Sequence, residues 1–183
     1  MGIDFKLQSF ANSSNTLLAG KMVTVASIGI FAGTALSFNT IIMPALRKFS
    51  SSSSVAIWDE TLKVATSVQV SAIVGALGNA ALYYKTKNPS YLYSAIALVL
   101  TVPYNLLAIY PINKKLFAIR QNNTINGKSN SMKDGAVDDT EANDLLNRWN
   151  LFHAGRTIFG FGALFATVYG VASDSGFRFI VYK

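Results

Sequence analysis

Polar and apolar positions fall along this chain in long blocks. No charged residue lies between Lys21 and Arg47, between Lys63 and Lys85, between Lys87 and Lys114, or between Arg156 and Asp174. Each of the first three blocks is long enough to cross a hydrocarbon core of roughly 30 Å, which takes about 20 mostly apolar residues as a helix. The fourth reaches that length if its helix starts before Arg156. Backbone in lipid must satisfy its own polar groups, so blocks of this kind span as helices. The expected fold is all-α: a polytopic membrane four-helix bundle, one domain over residues 1–183.

The polar positions then divide the chain. Residues 1–20 are a polar lead. The first helix is expected from Lys21 to Met43, with Pro44 as its end. Gly29, Gly33 and Ser37 recur at four-residue spacing, a stripe that lets helix backbones approach closely and predicts tight packing inside the bundle in preference to a homodimer seam. Residues 47–63 read as a loop, with a serine run from Ser50 to Ser54 and Trp58 suited to the membrane interface. A second helix follows from Val64 to Tyr84. Gln69 and Asn79 are costly in hydrocarbon, and each is expected to bond a neighbouring helix. The short link from Lys85 to Ser90 makes an antiparallel hairpin with a third helix, from Tyr91 past Tyr110, which Pro103 should kink. The stretch 120–144 is rich in Asn, Ser, Asp and Gly and predicts a mobile polar loop outside the membrane. The fourth helix is expected from Asn143 or Leu145 to Ala172, with a second small-residue stripe at Gly162, Ala166 and Gly170.

Four helices put both termini on one side. The loop side carries the larger share of Lys and Arg, which leans toward cytoplasmic loops and outward termini. The sequons at Asn12 and Asn122 lie on opposite sides, so one at most is glycosylated. The first apolar run is too long for the core of a cleavable signal peptide and follows a polar lead, so it reads as a membrane helix.

Composition narrows the chemistry. Hydrophobic residues make up 51% and charged residues 14%, against about 25% charged in an average soluble domain. The net charge of +7 is spread over helix ends and one loop, so the partner it implies is a lipid bilayer with anionic head groups and not nucleic acid. There is no Cys and a single His, His153. No thiolate site, histidine cluster, Gly-rich dinucleotide loop or P-loop is present in the sequence, so no metal and no bound cofactor is expected. The acidic residues read as lying in loops or near helix ends, leaving no intramembrane carboxylate site.

One stripe stands out. Trp149, His153, Arg156 and Gly160 follow one another at spacings of four, three and four, and so share one face of the fourth helix. His153 and Arg156 are the ionisable pair that reaches into the bilayer, and such groups are functional candidates. The structural alternative is that Arg156 snorkels to head groups while His153 satisfies a backbone carbonyl.

Three strings carry a family resemblance: Pro103-Tyr104-Asn105, then Pro111-Ile112-Asn113-x-x-Leu116, then Trp149-x-x-Phe152-His153-x-x-Arg156. Together with Gly33-x-x-Leu36-Ser37, Pro44-x-Leu46 and Trp58, they resemble the anthrone oxygenase family of small four-helix membrane proteins. Ile112 stands where the family usually has Thr, and Phe159-Gly160-Phe161 replaces a common Pro-Leu. The resemblance implies a membrane-embedded monooxygenase, in the endoplasmic reticulum or another endomembrane. It would oxidise a hydrophobic aromatic polyketide with O2 and no cofactor. His153 would act as base, and Arg156 and Asn113 would stabilise the developing oxyanion. Trp149, Tyr104, Tyr110 and Asn105 would bind the substrate. The competing reading is a non-catalytic endomembrane protein, a subunit or assembly factor whose partner is another membrane protein.

Overall fold

The computed structural model describes residues 14–125 and 136–175, and all of its regular structure is helical. The first span is α1 (Ser14–Ser37), a π-helical turn (Phe38–Ile42) and α2 (Met43–Leu46). The second is α3 (Ser51–Thr66) and α4 (Gln69–Thr86); the third is α5 (Pro89–Tyr104), a π turn (Asn105–Ile109) and α6 (Tyr110–Ile125). The fourth is one continuous helix, α7 (Ala136–Asp174). Each span is long and apolar enough to cross a bilayer, and the chain is an integral membrane protein.

The spans run up and down. Lys87 takes the left-handed conformation that ends α4, with φ of 60°, and its N–H bonds the Tyr83 carbonyl. Asn88 then caps α5 by accepting from the Ser90 N–H at 3.1 Å, and Pro89 fills the first helical position, where no N–H is needed. At this end Lys21 Nζ lies 2.8 Å from Asp174 Oδ2, and the Tyr91 hydroxyl donates to the same oxygen at 2.8 Å. The start of the first span, the second hairpin turn and the end of the fourth span therefore share one side.

Two cores stack along the bundle. Near the termini, Ile28 and Phe31 of α1 pack with Ala72, Leu98 and Ala163. Next to them Asn79, fully buried, donates to Ser94 Oγ at 3.0 Å and accepts from Thr167 Oγ1 at 3.0 Å. The second, third and fourth spans are thus joined by a closed polar network, as expected for Asn79. Toward the loop side, Phe38, Leu46, Val55, Trp58, Ile112, Leu116 and Trp149 form a larger core.

Several expectations change. The segment 47–63 is not a loop, because α3 starts at Ser51. Ser51, Ser54, Val55 and Trp58 recur at helical spacing and are all buried. Ser54 Oγ donates to the Leu46 carbonyl at 2.7 Å, so a serine run that reads as loop composition is a buried helix face. Trp58 packs 5.8 Å from Trp149 and 5.3 Å from Phe117 inside the bundle and not at the interface. The first span continues past Pro44 to Leu46. The polar stretch 120–144 is shorter as a connection: α6 extends to Ile125 and α7 begins at Ala136. Residues 126–135, the centre of the expected mobile loop, lie outside the described residues, as does the first sequon at Asn12.

Both π turns end just before a proline. Met43 N–H bonds the Phe38 carbonyl five residues back, and Pro44 follows; Tyr110 N–H bonds the Asn105 carbonyl, and Pro111 follows. A proline ring crowds the carbonyl four residues earlier and offers that carbonyl no donor. Widening the preceding turn by one residue relieves that conflict. The third span thus keeps α geometry through Pro103 and departs from it between Asn105 and Ile109.

The small-residue stripes also differ from expectation. A Cβ built on Gly29, Gly33 or Gly162 meets nothing within 4 Å, so these positions do not mediate packing in the bundle. Gly170 of the second stripe does approach a neighbour closely, since a Cβ there would lie 2.9 Å from the Tyr91 ring, and so does Gly160, where a Cβ would lie 3.2 Å from the Phe31 ring and 3.3 Å from the Ala32 backbone. Gly160→Val should therefore lower stability by about 1–3 kcal/mol, the usual cost of overpacking. Gly29→Val should leave it nearly unchanged. Unfolding midpoints in detergent would measure both, and equal effects at the two sites would contradict this packing.

Candidate functional site

Where α3 passes into α4, and where the third span widens into its π turn, the second and third spans part in front of α7. The space between them is a cleft of about 340 Å³. Asn105, Tyr110, Asn113, Trp149, His153 and Arg156 all line it, with Leu62, Thr66 and Gln69 of the second span on the facing wall. Six of the seven candidate residues are thus brought together from sequence positions 105 to 156. The stripe on α7 supplies three of them at helical spacing; the second π turn supplies Asn105, and the start of α6 supplies Tyr110 and Asn113. Gln69 faces this space.

Tyr104 is placed elsewhere. Its hydroxyl donates to the Phe152 carbonyl at 2.7 Å, lies against Gly155, and its ring packs 5.6 Å from Phe159. It ties α5 to α7 behind the cleft. Asn113 and Trp149 are paired directly: the indole N–H donates to Asn113 Oδ1 at 2.7 Å. That bond fixes the amide so that its nitrogen, with two donors, stays available to a ligand.

His153 is almost fully buried, at 3% exposure. Its ring stacks on Trp149, centroids 4.5 Å apart and planes 18° apart, and Phe38 lies 5.2 Å away on a tilted plane. Among the described residues its ring bonds no backbone carbonyl; Nδ1 instead faces Asn39 Oδ1 at 3.4 Å. Arg156 does not snorkel. Its guanidinium carbon sits 4.9 Å from the Phe31 ring centroid, a cation–π contact, and the side chain lines the cleft.

A second, smaller chamber of about 20 Å³ lies on the far side of His153 and Arg156, toward the first span. Phe31, Ala35, Phe38, Ala65 and Val68 give it a largely apolar wall. It has room for about one water-sized molecule. His153 and Arg156 thus border a space fit for a flat organic molecule on one side and a space fit for a very small one on the other.

The polar groups of the bundle fall into two sets. Those at Asn79, Ser94 and Thr167 are all satisfied by one another. Among the described residues, four buried side-chain atoms have no hydrogen-bond partner: Trp58 Nε1 and Asp59 Oδ1 in α3, and Asn105 Oδ1 and Arg156 Nε of residues that line the cleft. The last two are an acceptor and a donor, and each is costly to leave unpaired. Unsatisfied buried groups call for an explanation, and at the cleft a bound molecule would supply one.

Sequence reasoning missed Asn39 and Thr157. Asn39 sits in the first π turn, and its amide nitrogen bonds both the Asn150 carbonyl at 2.9 Å and Asn150 Oδ1 at 2.8 Å. Thr157, one turn after His153, donates to Asn39 Oδ1 at 2.8 Å. The available signal was an amide in the middle of an apolar span five residues before a proline. A buried carboxylate was missed as well: Asp59, at 5% exposure, lies within α3 and pairs with Lys63 at 2.9 Å. It belongs to the loop-side end, where Arg120 approaches it to 3.8 Å.

A family model for anthrone oxygenase matches residues 58–166, a segment that contains all seven candidate residues. No curated protein and no solved structure gives a significant match to the chain.

Proposed function

Because the chain belongs to the anthrone oxygenase family, we propose that it oxidises an anthrone-like aromatic polyketide to the quinone with O2, inside the bilayer and without a resident cofactor. The observation that carries this reading is the pair of unsatisfied groups in the cleft, Arg156 Nε–H and Asn105 Oδ1. A phenolic tricyclic ketone offers an oxygen acceptor to the first, a hydroxyl donor to the second and a flat face to Trp149. The cleft volume falls at the lower end of the range for small-molecule sites, about 300–1,000 Å³. Placement in the endoplasmic reticulum or another endomembrane rests on the family alone.

The chemistry balances without a further reagent. His153 removes one proton from the methylene carbon opposite the ketone. The electron pair spreads into the rings and the ketone oxygen, and Arg156 with the Asn113 amide nitrogen stabilises that oxyanion. The electron-rich carbon reduces O2 and bonds to it, and the imidazolium returns its proton to give a hydroperoxide. Loss of the second methylene proton, with cleavage of the O–O bond, leaves the carbonyl and releases water. CH2 and O2 have become C=O and H2O; four electrons leave carbon and reach oxygen. The small apolar chamber beside His153 suits the approach of O2, and lipid supplies both apolar reactants.

The test is turnover by purified protein in detergent with a hydroxyanthrone, oxygen-18 gas and a chelator. Quinone should form faster than in protein-free micelles, with one labelled oxygen per molecule and one O2 consumed per quinone. Rates equal to the spontaneous one on several hydroxyanthrones would overturn the proposal. They would favour a non-catalytic subunit or assembly factor instead.

A further inference from the structure

We infer that Asn39 is a positioning residue for His153: its amide oxygen holds the proton of the neutral imidazole on Nδ1 and leaves Nε2 as the acceptor facing a ligand. The role of Nε2 as base rests on the proposed oxygenase reading; the placement of the proton does not.

The Asn150 backbone carbonyl is an acceptor only, and it lies 2.9 Å from one end of the Asn39 amide. That end is therefore the nitrogen, and the opposite end is the oxygen. The oxygen takes the Thr157 hydroxyl at 2.8 Å, which agrees with its being an acceptor. His153 Nδ1 faces this same oxygen at 3.4 Å. An unprotonated Nδ1 there would set two lone pairs against each other, whereas a protonated one makes a long hydrogen bond. A neutral imidazole carries a single N–H, so Nε2 is then the free base. Nε2 has no partner among the described residues, and the ring lines both the cleft and the small chamber.

The rest of the surroundings hold the ring in that pose. Stacking on Trp149 sets its plane, and Trp149 is in turn held by Asn113. Asn39 is anchored to α7 through Asn150 and Thr157 as well as His153, so the first span grips the helix that carries the base on both sides of it. The first π turn, placed by Pro44, is what presents Phe38 and Asn39 together to α7.

With one histidine in the chain, the tautomer is readable without assignment. In protein labelled with nitrogen-15 histidine, at a pH where the ring is neutral, Nδ1 should give a pyrrole-like resonance and Nε2 a pyridine-like one. Asn39→Ala should move the proton to Nε2, the form an unconstrained histidine side chain prefers. Asn39→Asp, which keeps an oxygen at that place, should retain it on Nδ1. In turnover, Asn39→Ala should lower kcat by about 10–100-fold, as loss of a histidine's outer hydrogen-bond partner does at metal sites. KM for the aromatic should change far less, and Asn39→Asp should recover part of the loss. A proton on Nε2 in the wild type would overturn the inference, whether or not the variants fold. So would a proton that stays on Nδ1 in Asn39→Ala, or full kcat in that variant once its proton has moved. Absent wild-type turnover with the expected tautomers would sink the oxygenase reading while supporting the hold of Asn39 on the ring.

Discussion

His153→Ala should lower kcat for a hydroxyanthrone by about 10²–10⁴-fold, the usual contribution of a positioned general base. Among the residues that line the cleft, it is the one whose side chain offers an uncharged ring nitrogen lone pair to a proton. Its ring is held by stacking on Trp149 and by Asn39, so no motion is needed before proton transfer. Alanine leaves a space that water can enter, and water at an undirected position is a far weaker base. KM should change little, because Trp149, Asn105 and Arg156 still form the cleft. Quinone absorbance under substrate saturation would measure the loss. Undiminished kcat would remove His153 from the mechanism and leave its burial without a catalytic purpose.

Arg156→Lys should lower kcat by about 10²–10³-fold, the effect of removing one preorganised donor from a developing oxyanion. The substitution keeps the charge and so separates charge from geometry. A guanidinium presents its N–H groups in a fixed plane, and Nε–H is the one left without a partner here. An ammonium on a flexible stem is a point charge without that plane. Since Arg156 Nε has no hydrogen-bond partner among the described residues, the lysine variant should stay folded, with an unfolding midpoint close to that of the wild type. Equal loss of stability and activity would indicate that Arg156 supports the bundle and not the reaction.

The spans were legible because charge is so costly in lipid that its absence over long blocks leaves few alternatives. The stripe at Trp149, His153 and Arg156 was legible for a similar reason: one helix carries all three, and helical spacing alone puts them on one face. The start of the second span was not legible, because Ser51 and Ser54 are buried on one helix face and Ser54 satisfies its hydroxyl on the Leu46 carbonyl, hiding what composition marks as polar. The π turns left no trace in periodicity, since one inserted residue shifts the pattern without breaking it. Only the prolines after them hint at the strain. Asn39 was out of reach because it meets His153 across 114 positions of sequence, and nothing local to either residue names the other. Tyr104, next to Asn105 in sequence, shares its motif but not its direction, because the widened turn begins between them.

On the proposed reading, the cleft at His153 oxidises an anthrone with O2. The measurement that bears on it most directly is O2 uptake by equal amounts of folded wild type and His153→Ala, at one hydroxyanthrone concentration, with the protein-free rate subtracted. The wild type should take up O2, matched mole for mole by quinone, and the variant almost none. Uptake by neither protein, or the same uptake by both, would contradict it.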